Sequence, residues 1–357
     1  MKAGELLRPA LALAAGIYGV AVRSRRLAYD RRWARIEELP VPVISVGNLT
    51  AGGAGKTPCV ADVARRLLGE GFHPAVVSRG YKGRRKGLVV VSDGARRLAV
   101  PPEVADEAAM LADQLPGVPV LTGACRPLVG RAAVERFGAD VIVLDDGFQH
   151  RACGRDLDIV LVDAGRPPST DALLPLGRLR EPPSSLRRAN LVVATKSAKP
   201  EDAVVVGQWV WGRVPVVRAQ HAPVGWRSLP GGRLMPLSER PKGTAIAFCG
   251  LASPASFRRS LADLRVPVAG FAAYRDHHLY RASDGAFLAT WARTLGASWF
   301  VTTEKDAVRL SGLGQLPYPT YALAIEFRIV EGAETWHEAI LTAARGKLGL
   351  EGTAIMP

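Results

Sequence analysis

Short, nearly continuous apolar runs recur along this chain and alternate with stretches of helical spacing. Runs at 41–46, 74–78, 88–91, 118–121, 141–145, 158–163 and 191–195 read as buried strands, since a strand covered on both faces loses its polar alternation. After the first of them, Val60, Val63, Ala64, Leu67 and Leu68 recur at helical intervals until Gly69 and Gly71 close the helix. This alternation predicts a doubly wound α/β domain with a mostly parallel sheet. The stretch 225–243 is basic and dense in Pro and Gly, and reads as a linking region. Beyond it, strand-like runs around 244–250, 266–274, 298–304 and 318–327 alternate with helices near 254–264, 283–295 and 334–346, predicting a second, smaller α/β domain. The expected organisation is therefore an N-terminal helix over 1–28, a larger domain over 29–224 and a smaller one over 225–357. No internal repeat is present.

The N-terminal run PALALAAGIYGVAV (9–22) has fourteen apolar residues, followed by Arg23, Arg25 and Arg26, with Arg31, Arg32 and Arg35 beyond. A spanning helix needs ~20 apolar residues, and no small-residue cleavage site suggests a signal peptide. A helix lying in the membrane interface is the favoured reading, ahead of a buried helix and a true span.

The stretch PVPVISVGNLTAGGAGKTPCV (40–60) is a strand, a glycine-rich turn and a helix start in that order. Glycines at 52, 53 and 55 let backbone N–H groups turn inward around phosphates, and the helix N-terminus adds partial positive charge. Lys56 is suited to the β- and γ-phosphates and the Thr57 hydroxyl to magnesium. Thr50 stands where the first glycine of G-x-x-x-x-G-K-[ST] usually falls. The pattern predicts a P-loop NTPase core.

VIVLDDGFQH (141–150) ends a buried strand in two carboxylates. Asp145, at the strand's carboxyl end, is the favoured magnesium ligand, with Asp146 beside it. The alternative is a solvated turn. Gln149 and His150 follow closely enough to face the same crevice. Asp106 and Glu107 open a helix predicted over 104–115, where the helix dipole alone accounts for acids in the first turn. His277 and His278 sit in YRDHHLY, where a hydrogen-bonded loop and a carboxylate-paired base are both open readings.

The net charge of +14 calls for a partner: nucleic acid, an anionic membrane or a phosphorylated substrate, unless it is an arginine-biased solvated surface. Aromatic residues at 6% argue against stacking on single strands. The four cysteines (Cys59, Cys125, Cys153, Cys249) form no C-x-x-C pair, so neither a disulfide framework nor a zinc site is expected.

Several separate stretches together resemble one family, the tetraacyldisaccharide 4′-kinases of lipid A biosynthesis. They are Tyr29-Asp-Arg-Arg, SVGNLTAGGAGKTP (45–58), SRGYKG (78–83), Asp106-Glu107, DDGFQH (145–150), LVDA (161–164), LREP (179–182), DHH (276–278) and TTEKDAVRL (302–310). Thr50 is that family's own form of the loop. The resemblance implies ATP- and Mg²⁺-dependent phosphorylation of the 4′-hydroxyl of a tetraacylated glucosamine disaccharide 1-phosphate. It implies a monomer held peripherally at the cytoplasmic face of the inner membrane, with no nucleic-acid partner. It further implies that Thr50, Ala51, Gly52, Gly53, Ala54, Gly55, Lys56 and Thr57 hold the nucleotide, and Thr57, Asp145 and Glu107 the metal. Asp106 becomes the base, helped by His277, with Lys56 and Asp146 in the catalytic set. Arg79, Tyr81, Arg126, Gln149, His150, Arg180 and Glu181 become crevice residues. Arg178 stands where the family pattern has proline, and 247–257 follows the pattern loosely, so no role is carried to Gly250. The alternative of a P-loop GTPase or metal-insertion chaperone would need a guanine motif, of which ATKS (194–197) is a poor version.

Overall fold

The computed structural model describes residues 3–52, 55–166, 168, 171–196, 201–210, 214–310 and 314–347. Within them all strands join one mixed, mainly parallel sheet, so the chain is α/β. The first half contributes β1 (Val43–Asn48), β2 (Pro74–Ser78), β3 (Val89–Asp93), β4 (Pro119–Thr122), β5 (Val141–Asp145), β6 (Leu157–Asp163) and β7 (Leu191–Thr195). These agree with the expected runs to within two or three residues, because each is an apolar segment buried on both faces. β1 runs parallel to β5 on one side and to β6 on the other, with all six of its residues buried. Strand order reverses there, which opens a crevice at the carboxyl ends of β1 and β5. Helices α2 (Lys56–Gly69), α3 (Asp106–Gln114) and α4 (Arg126–Phe137) cover the strands.

The second half contributes β10 (Ala245–Cys249), β11 (Val268–Ala273) and β12 (Trp299–Thr303), mutually parallel, with α6 (Pro254–Asp263), α7 (Ala282–Thr294) and the short α8 (Glu304–Leu310). The two halves join through a long antiparallel pair, β8 (Val216–Leu229) and β13 (Thr320–Glu331). The expected linking region is thus not a linker. The boundary at 225 falls inside β8, and Leu234–Pro236 (β9) folds back on Gly225–Arg227. Trp226 is fully buried there, edge-on to Trp299. Its Pro and Gly residues mark a hairpin turn, which composition alone does not distinguish from a linker.

The C-terminal helix α9 (Ala333–Gly346), counted with the smaller unit by position, packs instead into the core of the first half. Trp336, Ile340 and Ala344 lie among α2 and β1 residues. The Trp336 indole N–H donates to Asp62 on α2 at 2.9 Å. All four cysteines are free.

Helix α1 (Ala3–Asp30) is twice as long as the apolar run that suggested it, because Arg23 to Arg26 continue its helical turns. Two of its small residues face inward: Ala15 is buried, and a Cβ on Gly19 would meet Leu173 at 3.1 Å. Its large apolar residues face out, with Leu13 70%, Ile17 65% and Val20 61% exposed. Tyr18 donates to the Arg180 carbonyl and Arg25 to that of Gln149, tying the helix to the crevice loops. No described helix is long and apolar enough to cross a membrane.

Candidate active site

The glycine turn sits between β1 and α2 because Gly55, with φ +79°, turns the chain into the helix without a side-chain cap. The first-turn N–H groups of α2 are therefore left for an external acceptor. Gly53 and Ala54 lie outside the described residues. Asn48, absent from the expected site, organises the turn. Its amide donates to the Thr50 carbonyl at 2.8 Å and its Oδ1 accepts from Lys56 Nζ at 3.1 Å. Ala51 N–H donates to the Arg178 carbonyl at 2.7 Å, so the residue replacing proline serves the loop through its backbone. His221, on β8, is a second residue the sequence reading missed. Its Nε2 is 3.3 Å from the Gly55 carbonyl, and any Cβ at 55 would collide with its ring.

Asp145 ends β5 directly beside Val46 of β1. Ser78 Oγ donates to its Oδ2 at 3.1 Å. Burial, and then the neighbouring Asp146 carboxylate, push Asp145 up to about 6. Asp146 occupies the left-handed region at φ +54°. Despite its burial, it is held below the usual carboxylate range by Lys56, 3.3 Å away, and Arg180, 2.7 Å away. Two adjacent carboxylates thus carry opposite shifts. Lys56 and Arg180 meet at the one carboxylate of Asp146.

The Asp106–Glu107 pair and the 276–278 loop, distant in sequence, converge where α3 meets α8. His277 Nδ1 lies 2.8 Å from Asp106 Oδ2. Arg309 Nε approaches the same oxygen at 3.2 Å. Lys305 Nζ, on α8, is 3.1 Å from Glu107 and 3.4 Å from His277 Nε2. Lysine pairing keeps Glu107 low although burial opposes it. Glu107 in turn adds to the upward push on Asp145, so the two acidic clusters feel each other across one crevice. His278 turns away, bonded to Asp284 at 3.0 Å and stacked on Tyr274. That divides the histidine pair into one member facing a carboxylate of the first half and one structural member.

Arginines rim the same space. Arg126, first residue of α4, is buried with its Nε unpartnered. His150 is pushed down to about 4 by burial and then by Arg126, Arg25, Arg155 and Arg79, and its buried Nε2 has no partner. Gln149 donates to the Asn48 carbonyl at 2.9 Å while its buried Oε1 stays open. Two further expected crevice residues have these surroundings. Glu181 is buried against Arg188 at 2.8 Å, whose guanidinium lies over Phe148. Tyr81 is 69% exposed. Among the described residues no group of three or more His, Cys, Asp or Glu is arranged to hold a metal.

Comparison with known proteins finds relatives along almost the whole chain. The profile of the family described as tetraacyldisaccharide-1-P 4′-kinase matches residues 7–345. The tetraacyldisaccharide 4′-kinase of Syntrophus aciditrophicus is 45% identical over 324 residues, covering 87% of each chain. That of Geobacter metallireducens is 41% identical over 328 residues, covering 92% of this chain and 96% of its own. The crystal structure of LpxK from Aquifex aeolicus, an "apo" form in complex with ATP, superposes with a TM-score of 0.78 at 31% identity, covering 95% of this chain and 99% of its own. A match that runs from α1 through α9 takes in both the glycine turn and the Asp106–His277 contact, and so this chain belongs to the tetraacyldisaccharide-1-P 4′-kinase family.

Proposed function

We propose that this chain transfers the γ-phosphate of ATP to the 4′-hydroxyl of a tetraacylated glucosamine disaccharide 1-phosphate, a step of lipid A biosynthesis. The observation that carries the mechanism is the Asp106–His277 contact at 2.8 Å, electrostatically linked through Glu107 to Asp145 beside the glycine turn. Asp106 takes the proton of the acceptor hydroxyl, and His277 orients it and shares the charge. Lys56 exchanges Asn48 and Asp146 for the β- and γ-phosphates, while the open first turn of α2 receives phosphate oxygens. Arg180 then holds Asp146 in place. Arg79, Arg126 and neutral His150 line a basic recess suited to an anionic headgroup.

The donor set fits magnesium. Thr57, Asp145 and Glu107 offer hard oxygens, and this ion keeps water and substrate phosphates as most of its ligands, so a dense protein cluster is not required. The buried, raised carboxyl of Asp145 is a position where a divalent cation relieves charge burial. When bound, the ion would neutralise charge on the phosphate oxygens.

Membrane attachment follows from α1. Its outward Leu13, Ile17 and Val20, with exposed Arg23 and Arg25, match an interfacial helix. Each buried methylene there contributes ~0.8 kcal/mol, and each basic residue near an anionic leaflet ~1 kcal/mol. Because α1 is tied to the Arg180 and Gln149 carbonyls, docking it places the crevice beside the acyl chains of the substrate.

The test is transfer of labelled γ-phosphate from ATP to tetraacyldisaccharide 1-phosphate in mixed micelles. Magnesium-dependent formation of the bisphosphorylated lipid, lost in Lys56→Ala and reduced to a small residual rate in Asp106→Ala, is the expected result. Absence of transfer by folded protein would sink the assignment.

A further inference from the structure

Arg309 is the one cation of the Asp106 cluster whose side chain is completely buried. Its donors reach three separate segments. Nε donates to the Lys305 carbonyl at 3.2 Å and also lies 3.2 Å from Asp106 Oδ2 on α3, and Nη2 donates to the Gly250 carbonyl at 3.2 Å. Nη1 donates to the His278 carbonyl at 3.2 Å and lies 3.3 Å from Asp306.

Stabilising Asp306 does not account for these contacts. That carboxylate already accepts from Gly250 N–H and Tyr280 OH at 2.8 Å and from Thr303 Oγ1 at 2.5 Å. Nη1 and Nη2 instead donate to two carbonyls that fix the 276–278 loop, while Nε, bonded to the Lys305 carbonyl, pairs in charge with Asp106. His277 depends on one of them. It sits at φ +61°, a conformation costly for a non-glycine residue, with its N–H 3.3 Å from the same Gly250 carbonyl. Gly250 is glycine because a Cβ there would lie 2.9 Å from Arg309 Nη1 and 3.0 Å from the Arg275 carbonyl. The loosely patterned 247–257 segment, to which no role was carried, therefore supplies the wall that seals the guanidinium in. Both His277 and Arg309 occupy Oδ2 of Asp106, and Oδ1 has no partner among the described residues.

We infer that Arg309 is a positioning residue for phosphoryl transfer: it locks Asp106 by Oδ2 to the loop that carries His277, and so presents Oδ1 to the acceptor hydroxyl. Arginine is required because a planar fork of donors reaches the carbonyls of Lys305, Gly250 and His278 while its charge faces the Asp106 carboxylate, which a single ammonium does not do. The other charged groups around the pair, Glu107, Asp276 and Lys305, are more exposed and contact one another, leaving Arg309 as the fixed anchor. The inference rests on Asp106 being the base.

The test is a double-mutant cycle in the full-length chain. Arg309→Lys and Arg309→Met are each made alone and in the Asp106→Ala background, with kcat and both KM values measured in micelles. Alone, Arg309→Met is expected to lower kcat about 30-fold or more and Arg309→Lys less, with both KM values within about twofold of the starting chain. In the Asp106→Ala background each is expected to change the residual rate by less than about twofold, because the group being positioned is gone. Where the Met variant does not fold, the Lys variant decides, with its thermal transition as the fold control. Equal losses in both backgrounds, or a raised KM with unchanged kcat, would overturn the inference. A full rate in Asp106→Ala alone would instead sink the reading of Asp106 as base, and this inference with it, whatever Arg309 does.

Discussion

His277 and Asp106 are 171 positions apart in the chain and 2.8 Å apart in space, Nδ1 against Oδ2. One comes from a loop of the second half and the other from the first turn of a helix in the first half, so the pair exists only where the halves meet. The other ring nitrogen of His277, Nε2, faces Lys305 and Asp276. His277→Ala is expected to lower kcat by roughly ten- to a thousandfold, the range of an acid–base contribution. The KM for ATP should stay put, because the ring's partners are Asp106, Lys305 and Asp276 and none belongs to the glycine turn. An ATP KM that rises with kcat intact would assign His277 to nucleotide binding instead.

His150 gives a pH signature. Its ordinary value near 6.5 is pushed down to about 4 by burial and then by the surrounding guanidiniums. Between those values the unfolded chain binds a proton that the folded chain does not, so stability rises with pH across that window. As pH falls from about 6.5 towards 4, His150 should therefore subtract stability, screened because the ring is only partly buried. His150→Gln should flatten the dependence of the thermal midpoint on pH across that interval. An unchanged slope would mean that the histidine is charged in the folded state.

Much of this fold was legible because most strands are apolar runs of strand length, too short for a buried helix and bounded by turn residues. Asp145 and Lys56 were legible for a similar reason: each sits at a fixed offset from a strand end. Arg309, Lys305, Asn48 and His221 were not. Arg309 and Lys305 look like ordinary cations on a short amphipathic helix until α8 is seen against α3. The packing of Trp336, Ile340 and Ala344 against α2 and β1, with the Trp336–Asp62 hydrogen bond, reveals that α9 belongs to the first core. Asp106 shows the limit most clearly, since the helix dipole explains an acid there without any function.

Gly47 tests how closely β1 and the 145–150 loop must approach. A Cβ there would lie 2.5 Å from Phe148 Cβ and 2.9 Å from Phe148 N, backbone included. Gly47→Ala is expected to cost about 2 kcal/mol or more, as overpacking a fixed backbone does. Its thermal midpoint should drop by several degrees, with nucleotide affinity falling in parallel because Asn48 and Asp145 move together. Wild-type stability would show that the loop retreats freely.

The outward face of α1 separates attachment from chemistry. Leu13 and Ile17 touch solvent, while Ala15 and Gly19 make the contact with the protein. Leu13→Ser with Ile17→Ser should reduce sedimentation with anionic phosphatidylglycerol vesicles about tenfold or more, given ~0.8 kcal/mol per methylene. Hydrolysis of ATP and thermal stability should be unaffected. Undiminished vesicle binding would move the membrane contact elsewhere.

Trp336 makes the last prediction, because its position decides what α9 supports. The ring is fully buried, donates to Asp62, and lies against Phe327 of β13. Asp62 is on α2, the helix whose first turn opens towards the glycine loop, and Arg66 pairs with the same carboxylate oxygen at 2.7 Å. Trp336→Ala removes a large buried ring and one donor of a half-satisfied carboxylate, expected to cost about 3–5 kcal/mol. If α9 served only the second half, nucleotide affinity would survive in whatever protein remains folded. Since α9 backs α2 instead, ATP affinity should fall with stability, while Trp336→Phe should retain much of the packing and lose the hydrogen bond, ~1 kcal/mol. Isothermal titration with ATP at a temperature well below the transition separates these cases. Unaltered affinity in folded Trp336→Ala would detach α9 from the site.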